Sequence, residues 1–326
     1  MSCPARRFNK VFLDSLCTPR NATNFKGVPM SSRHTLRCSV ALARRHVTSS
    51  TSIQTTELQL FRDRLKLLGS GRIDLSLDDK TGLAALSLDN HEQRNALSGK
   101  MMAELADAVD KLEGWGRGVA LTLQGAGGTF CSGADLSLAR DHLVTGADGR
   151  MMSVLMTNTL DRLRRLPLIS VAVIDGGAIG GGAELSTCCD FRVADPESFI
   201  RFLQVKMGVS TGWGGGTRLV DIVGRKDALR LLGWSKKINA DEALAIGLVD
   251  TVASAAGGAH NQALELLEGV LEQEAYGAVR AAKSVVANTS FVSKELYDAE
   301  IDQFSALWGG RHNRQALEST RSPKLK

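Results

Sequence analysis

No stretch of the chain approaches the ~18 consecutive apolar residues that a membrane span needs, so an integral helical membrane protein is excluded. Cysteine is sparse and unpatterned. Cys3, Cys17 and Cys38 lie near the start and Cys131, Cys188 and Cys189 in the body, with no C-x-x-C and no zinc-type spacing. Reduced thiols are expected, not a disulfide framework or a metal site. The six histidines are scattered, with no H-E-x-x-H. Aromatic residues make up only 5%, and Trp115, Trp213, Trp234 and Trp308 lack the interleaving with basic residues that base stacking wants. Neither G-x-G-x-x-G nor G-x-x-x-x-G-K-[ST] occurs, which argues against a Rossmann cofactor site and excludes a P-loop.

Acidic charge is nearly missing from one end. Residues 1–52 carry nine of the 40 bases and only one of the 35 acids, Asp14, a net of +8. The remainder nets −3, so the formal +5 belongs to a leader and not to the folded body. A nucleic-acid binder needs a basic face on a folded module, and the body does not offer the charge for one. The leader, taken as residues 1–56, is rich in Arg, Ser and Thr, the composition of a mitochondrial presequence. A disordered tail is the plain alternative. Order is expected from about Glu57, in one domain over 57–326 with a core at about 70–260 and a helical C-terminal region at about 261–326.

Glycine is what the body has in excess. Of 33 glycines, 16 fall between Gly125 and Gly216, which points to backbone that turns tightly or approaches a ligand. Hydrophobic spacing predicts strands over 72–78, 83–88, 118–124, 168–174, 191–194 and 199–202. It predicts helices after an N-cap at Ser98 and over 151–166, 183–188, 224–232, 240–246, 261–274, 277–288 and 294–307. Strand–helix alternation followed by a helical third is an α/β pattern.

Two glycine motifs carry chemistry. Gly176 to Gly182 follows an apolar strand and opens a helix, so its N–H groups can hold a phosphate or a developing oxyanion. Gly208-Val209-Ser210-Thr211-Gly212 matches G-x-S-x-G, a nucleophile elbow with Asp and His residues downstream. An elbow needs an apolar strand directly before it, and Leu203 to Met207 is a poor one.

Arg94-Asn95-Ala96-Leu97-Ser98, Thr129 to Leu136, Gly176 to Glu184, and Gly208 to Gly215 occur in order. With this set the chain resembles the crotonase (enoyl-CoA hydratase/isomerase) superfamily. The resemblance implies a spiral of ββα units with a helical C-terminal oligomerisation region, and a homotrimer or homohexamer. It implies an acyl-CoA substrate, no metal or other cofactor, and neither nucleic acid nor membrane as partner. Ala134 and Gly181 match the two backbone donors of an oxyanion hole, and Glu184 a catalytic carboxylate. Arg94, Asn95, Ala96, Leu97, Ser132, Asp135, Leu136 and Gly180 fall where CoA is held, and Gln204, Ser210 and Trp213 around the acyl group.

A hydratase of this superfamily has a second glutamate, and its position here is Gln204. An amide is neither general acid nor base, so hydration is doubtful. The segments Leu166 to Ala172, Gly180 to Thr187, Cys189 to Arg192 and Trp308-Gly309-Gly310 resemble the decarboxylating branch. That branch implies loss of CO2 from ethylmalonyl-CoA or methylmalonyl-CoA to give butyryl-CoA or propionyl-CoA. It also implies a metabolite-repair role in the cytosol, against the mitochondrial composition of the leader. Three alternatives stand beside it: hydration or isomerisation of another acyl-CoA, a thioesterase using Ser210, and RNA binding, which one superfamily branch performs.

Overall fold

The computed structural model describes residues 55–289 and 292–321. The leader lies outside them except for Thr55 and Thr56, which open the first helix, α1 (Thr55–Leu65). Strands β1 (Arg72–Asp78) and β2 (Leu83–Asp89) form an antiparallel hairpin paired from Arg72 with Asp89 to Asp78 with Leu83. Alternation along β2 turns Ala84, Leu86 and Leu88 into the core. Ser98 caps α2 (Gly99–Gly114), its Oγ accepting from the Met101 N–H at 3.2 Å. The chain continues through β3 (Ala120–Gly125), α3 (Leu136–Asp141), α4 (Gly146–Arg165) and β4 (Ile169–Ile174). Then come β5 (Gly177–Ile179), α5 (Gly181–Ser186), β6 (Phe191–Ala194) and β7 (Phe199–Arg201). After these lie α6 (Gly215–Trp234), β8 (Lys237–Asn239), α7 (Ala240–Ala245), β9 (Thr251–Val252) and α8 (Ala259–Leu271). Helices α9 (Tyr276–Asn288), α10 (Lys294–Leu307) and α11 (Arg311–Ser319) complete it.

The main sheet has the order β1-β2-β3-β4-β6-β9, parallel from β2 onward, and a small sheet has the order β5-β7-β8. The central strand β4 is apolar on both faces except at Ser170, because both are covered. Val171 and Val173 pack with Ala263 and Leu267 of α8. Ala172 and Ile174 join the larger core with Met101, Leu105 and Val109 of α2.

Several elements depart from expectation. Helix α4 begins at Gly146, not at Met151, because a Thr145–Asp148 capping box supports a polar first turn. Helix α6 begins at Gly215, not at Gly224, and Gly224 (φ 73°, ψ 166°) is a break inside it. The short β5 hides inside the glycine run. Helices α3 and α11 are too short or too polar to register as periodic apolar stripes.

Candidate active site

Three loops meet beyond the carboxyl ends of β2, β3 and β4, and isolated parallel bridges stitch them together. Leu97 pairs with Ala134, and Cys131 with Ala178. The Leu97 N–H donates to the Gly133 carbonyl at 2.7 Å and the Ile179 N–H to the Cys131 carbonyl at 2.9 Å. The first loop holds Arg94 and Asn95 at φ 53°, a costly conformation for two consecutive non-glycine residues. The fully buried Asn95 side chain secures it. Its Oδ1 accepts from the Asn90 N–H at 2.9 Å, and its Nδ2 donates to the carbonyls of Ala126 (2.8 Å) and Thr129 (2.6 Å). Asn95 and the buried Leu97 therefore build the loop from behind and do not line the cavity, whereas Arg94 and Ala96 do.

The stitching brings Ala134 beside Gly181. The backbone at Gly133 (φ 96°) passes so close that a Cβ there would stand 2.9 Å from the Gly181 nitrogen. Among the described residues, neither the Ala134 nor the Gly181 N–H donates a hydrogen bond, while that of Gly180 donates to the Arg201 carbonyl at 2.8 Å. Gly181 is the first residue of α5, where orphan N–H groups carry partial positive charge. Two free donors on one cavity wall can hold an anionic oxygen.

Glu184 lies one turn further along α5, buried, on the same cavity. Its Oε1 accepts from Gln204 Nε2 at 2.7 Å, and its Oε2 from the N–H groups of Trp213 (2.7 Å) and Gly215 (3.0 Å). Burial, helped by the charge of Glu300, pushes its pKa up to about 7, against the pull of these donors. Behind it the buried Arg218 guanidinium donates to the main-chain carbonyls of Glu184 (3.1 Å) and Trp213 (3.0 Å). Gln204 occupies the place opposite Glu184, and its own Oε1 is buried without a partner among the described residues.

The cavity encloses about 1020 Å³. Arg94, Arg140, Arg201 and Lys237 give part of its lining a positive character, and Met152, Trp213, Phe304 and Trp308 give another part an apolar one. Ser132, Asp135, Leu136 and Gly180 line it as well. Asp135 is committed as the N-cap of α3, its Oδ1 accepting from the Ser137 N–H at 2.8 Å. Sequence reading missed Arg140, Lys237, Met152 and Phe304. Only the topology brings them here, and no spacing signal marks them.

Ser210 is a correction. It does not line the cavity, and among the described residues its hydroxyl donates only to the Thr211 carbonyl, at 3.2 Å. The segment before it is a 3-10 turn, Gln204–Met207, and not the strand that would thrust a nucleophile outward. Neither an acyl-pocket role nor a nucleophile role fits that placement.

The family model described as Enoyl-CoA hydratase/isomerase matches residues 78–324. An ethylmalonyl-CoA decarboxylase of Rattus norvegicus is 42% identical over 257 residues, covering 78% of this chain and 85% of that protein. One of Mus musculus is 37% identical over 307 residues, covering 90% and 94%. Among solved structures, an enoyl-CoA hydratase from Bacillus anthracis superposes with a TM-score of 0.63 at 28% identity, covering 76% of this chain and 94% of that one.

Proposed function

Because the chain belongs to the enoyl-CoA hydratase/isomerase family, we propose that it releases CO2 from ethylmalonyl-CoA to give butyryl-CoA, and accepts methylmalonyl-CoA as well. The observation that carries this is the pairing of a single buried carboxyl, Glu184, with an amide, Gln204, across a cavity bearing two free N–H groups. Such a site can stabilise an enolate and protonate it, but lacks a second acid–base group to activate water. The names of relatives at 42% and 37% identity support the same reading.

The geometry suggests the steps. The thioester oxygen rests on the Ala134 and Gly181 N–H groups. The α-carboxylate stands across the thioester plane in dry, apolar surroundings, where loss of charge is favoured. The C–CO2 bond breaks, its electron pair flows into the thioester carbonyl, and CO2 departs. The resulting enolate carbon then takes the proton of Glu184, forming a C–H bond and leaving Glu184 ionised until solvent reprotonates it. One well-placed N–H donor contributes about 3 kcal/mol to such a barrier. The chemistry asks for no metal or organic cofactor, and CoA arrives as part of the substrate. Arg94, Arg140, Arg201 and Lys237 suit its phosphates.

Incubation with ethylmalonyl-CoA, methylmalonyl-CoA and crotonyl-CoA, followed by mass, tests the reading. Loss of CO2 from the first two is expected. Hydration of crotonyl-CoA without CO2 release would sink it. We read the enzyme as a metabolite-repair activity of the cytosol that clears side products of carboxylases acting on short acyl-CoA. Imaging with and without residues 1–52 checks the location, and import into mitochondria would overturn it.

A further inference from the structure

We propose that the ring wall of Trp213, Phe304 and Trp308 gauges the substrate's α-alkyl branch, admitting ethyl and refusing longer chains. This rests on the decarboxylase reading above. The Trp213 ring lies directly against Gly181, so that a Cβ on that glycine would overlap it. The α-carbon of a thioester whose oxygen sits on the Gly181 N–H is one bond from the carbonyl carbon. Its branch therefore meets the Trp213 ring first.

The wall continues with Phe304 and Trp308 of the C-terminal helices, whose ring centroids are 5.1 Å apart at 37°. These rings have no room to retreat. Phe304 lies on Gly212 and Trp308 on Gly149, in each case so closely that a Cβ would overlap the ring. Trp308 Nε1 is further tethered to the Leu143 carbonyl at 2.7 Å. Trp213, Phe304 and Trp308 are all less than one-tenth exposed, yet all line the cavity. A wall of rings seated on main chain does not repack at low cost, so it discriminates by size. In an apolar pocket one methylene changes kcat/KM by roughly tenfold or more.

The test is a series of methyl-, ethyl-, propyl- and butylmalonyl-CoA offered to the full chain and to Phe304→Leu and Trp308→Phe. In the unaltered protein kcat/KM is expected to fall about tenfold or more from ethyl to propyl. Either opened variant should recover about tenfold on propyl relative to ethyl. Circular dichroism confirms the fold of each, and two independent positions guard against one failing to fold. Folded variants with unchanged ratios, or an unaltered protein that takes butyl as readily as ethyl, would overturn the gauge. If no alkylmalonyl-CoA loses CO2, the reaction reading fails and the wall is judged by binding alone. Affinities for propionyl-, butyryl- and pentanoyl-CoA should then show the same break after four carbons and the same relief in the variants, and an indifferent order refutes the wall.

Discussion

Glu184 is held by two opposing influences. Burial and the Glu300 charge raise its pKa, while Gln204 Nε2 and the Trp213 and Gly215 N–H groups favour the ionised form, and the outcome is about 7 against an ordinary 4.5. In the window between those values the folded protein holds a proton that the unfolded chain has released. The associated stability is fully present below pH 4.5 and drains away as pH rises through about 7, at most about 3 kcal/mol. Glu184→Gln should therefore flatten the pH dependence of stability across that window, as read by denaturant unfolding. It should also cut decarboxylation by about a hundredfold or more, as expected for loss of a proton donor. The variant amide fits the site: its oxygen accepts from the backbone donors, and its nitrogen meets the now unpaired Oε1 of Gln204 if that amide turns over. In the unaltered protein the rate should fall as pH rises through about 7. Ser210→Ala should leave the rate within twofold, since among the described residues its hydroxyl reaches only the Thr211 carbonyl. Glu184 and Gln204 were found in the sequence through the motif resemblance, which aligns them with the two carboxylate positions of a hydratase. The structural duty of Asn95 was not, because its three partners come from loops up to 34 residues away.

At the scale of elements, the turn from β5 into α5 is the most demanding part of the chain. Gly180 takes φ 55° and ψ −120°, reserved in practice for glycine, and Gly181 must leave its Cβ space to the Trp213 ring. Gly181→Ala pushes Trp213 and the N–H donor apart. It should lower kcat by about 10²–10³ while the far-UV circular dichroism stays that of the parent. Gly133 faces the matching constraint from the other loop, where a side chain would press on the Gly181 nitrogen. The glycine run announced such a site because so many glycines in so short a stretch are costly without a purpose. It concealed β5, whose pairing with β7 depends on backbone alone. Long apolar periods read well: β1 and α10 fall at their expected bounds. Helix α4 reads late, because its first turn rests on a Thr145–Asp148 cap and not on apolar spacing.

Over the whole molecule, parallel strands with covering helices were readable from alternation. The cavity wall was not, since it joins a loop near residue 94 to helices beyond residue 300. The same remoteness bears on assembly. Several large apolar side chains stand exposed among the described residues, with Val220, Leu229 and Trp234 on α6 and Leu244 on α7 among them at 44%, 54%, 70% and 42%. Where such side chains form a contiguous patch, they mark a surface that another protein covers. A closed ring of identical chains would cover such side chains by setting a patch of each chain against a different patch of the next, and we propose a homotrimer or homohexamer. Analytical ultracentrifugation should give three or six times the 34.9 kDa chain mass. Trp234→Glu, which sets a charge where the most exposed of these side chains stands, should shift the mass toward one chain. A species of one chain mass in the parent at micromolar concentration would refute the assembly. Cavity residues Phe304 and Trp308 belong to α10 and its cap in the same chain, so the monomerised variant should still bind butyryl-CoA, and loss of binding would mean that a neighbouring subunit completes the site.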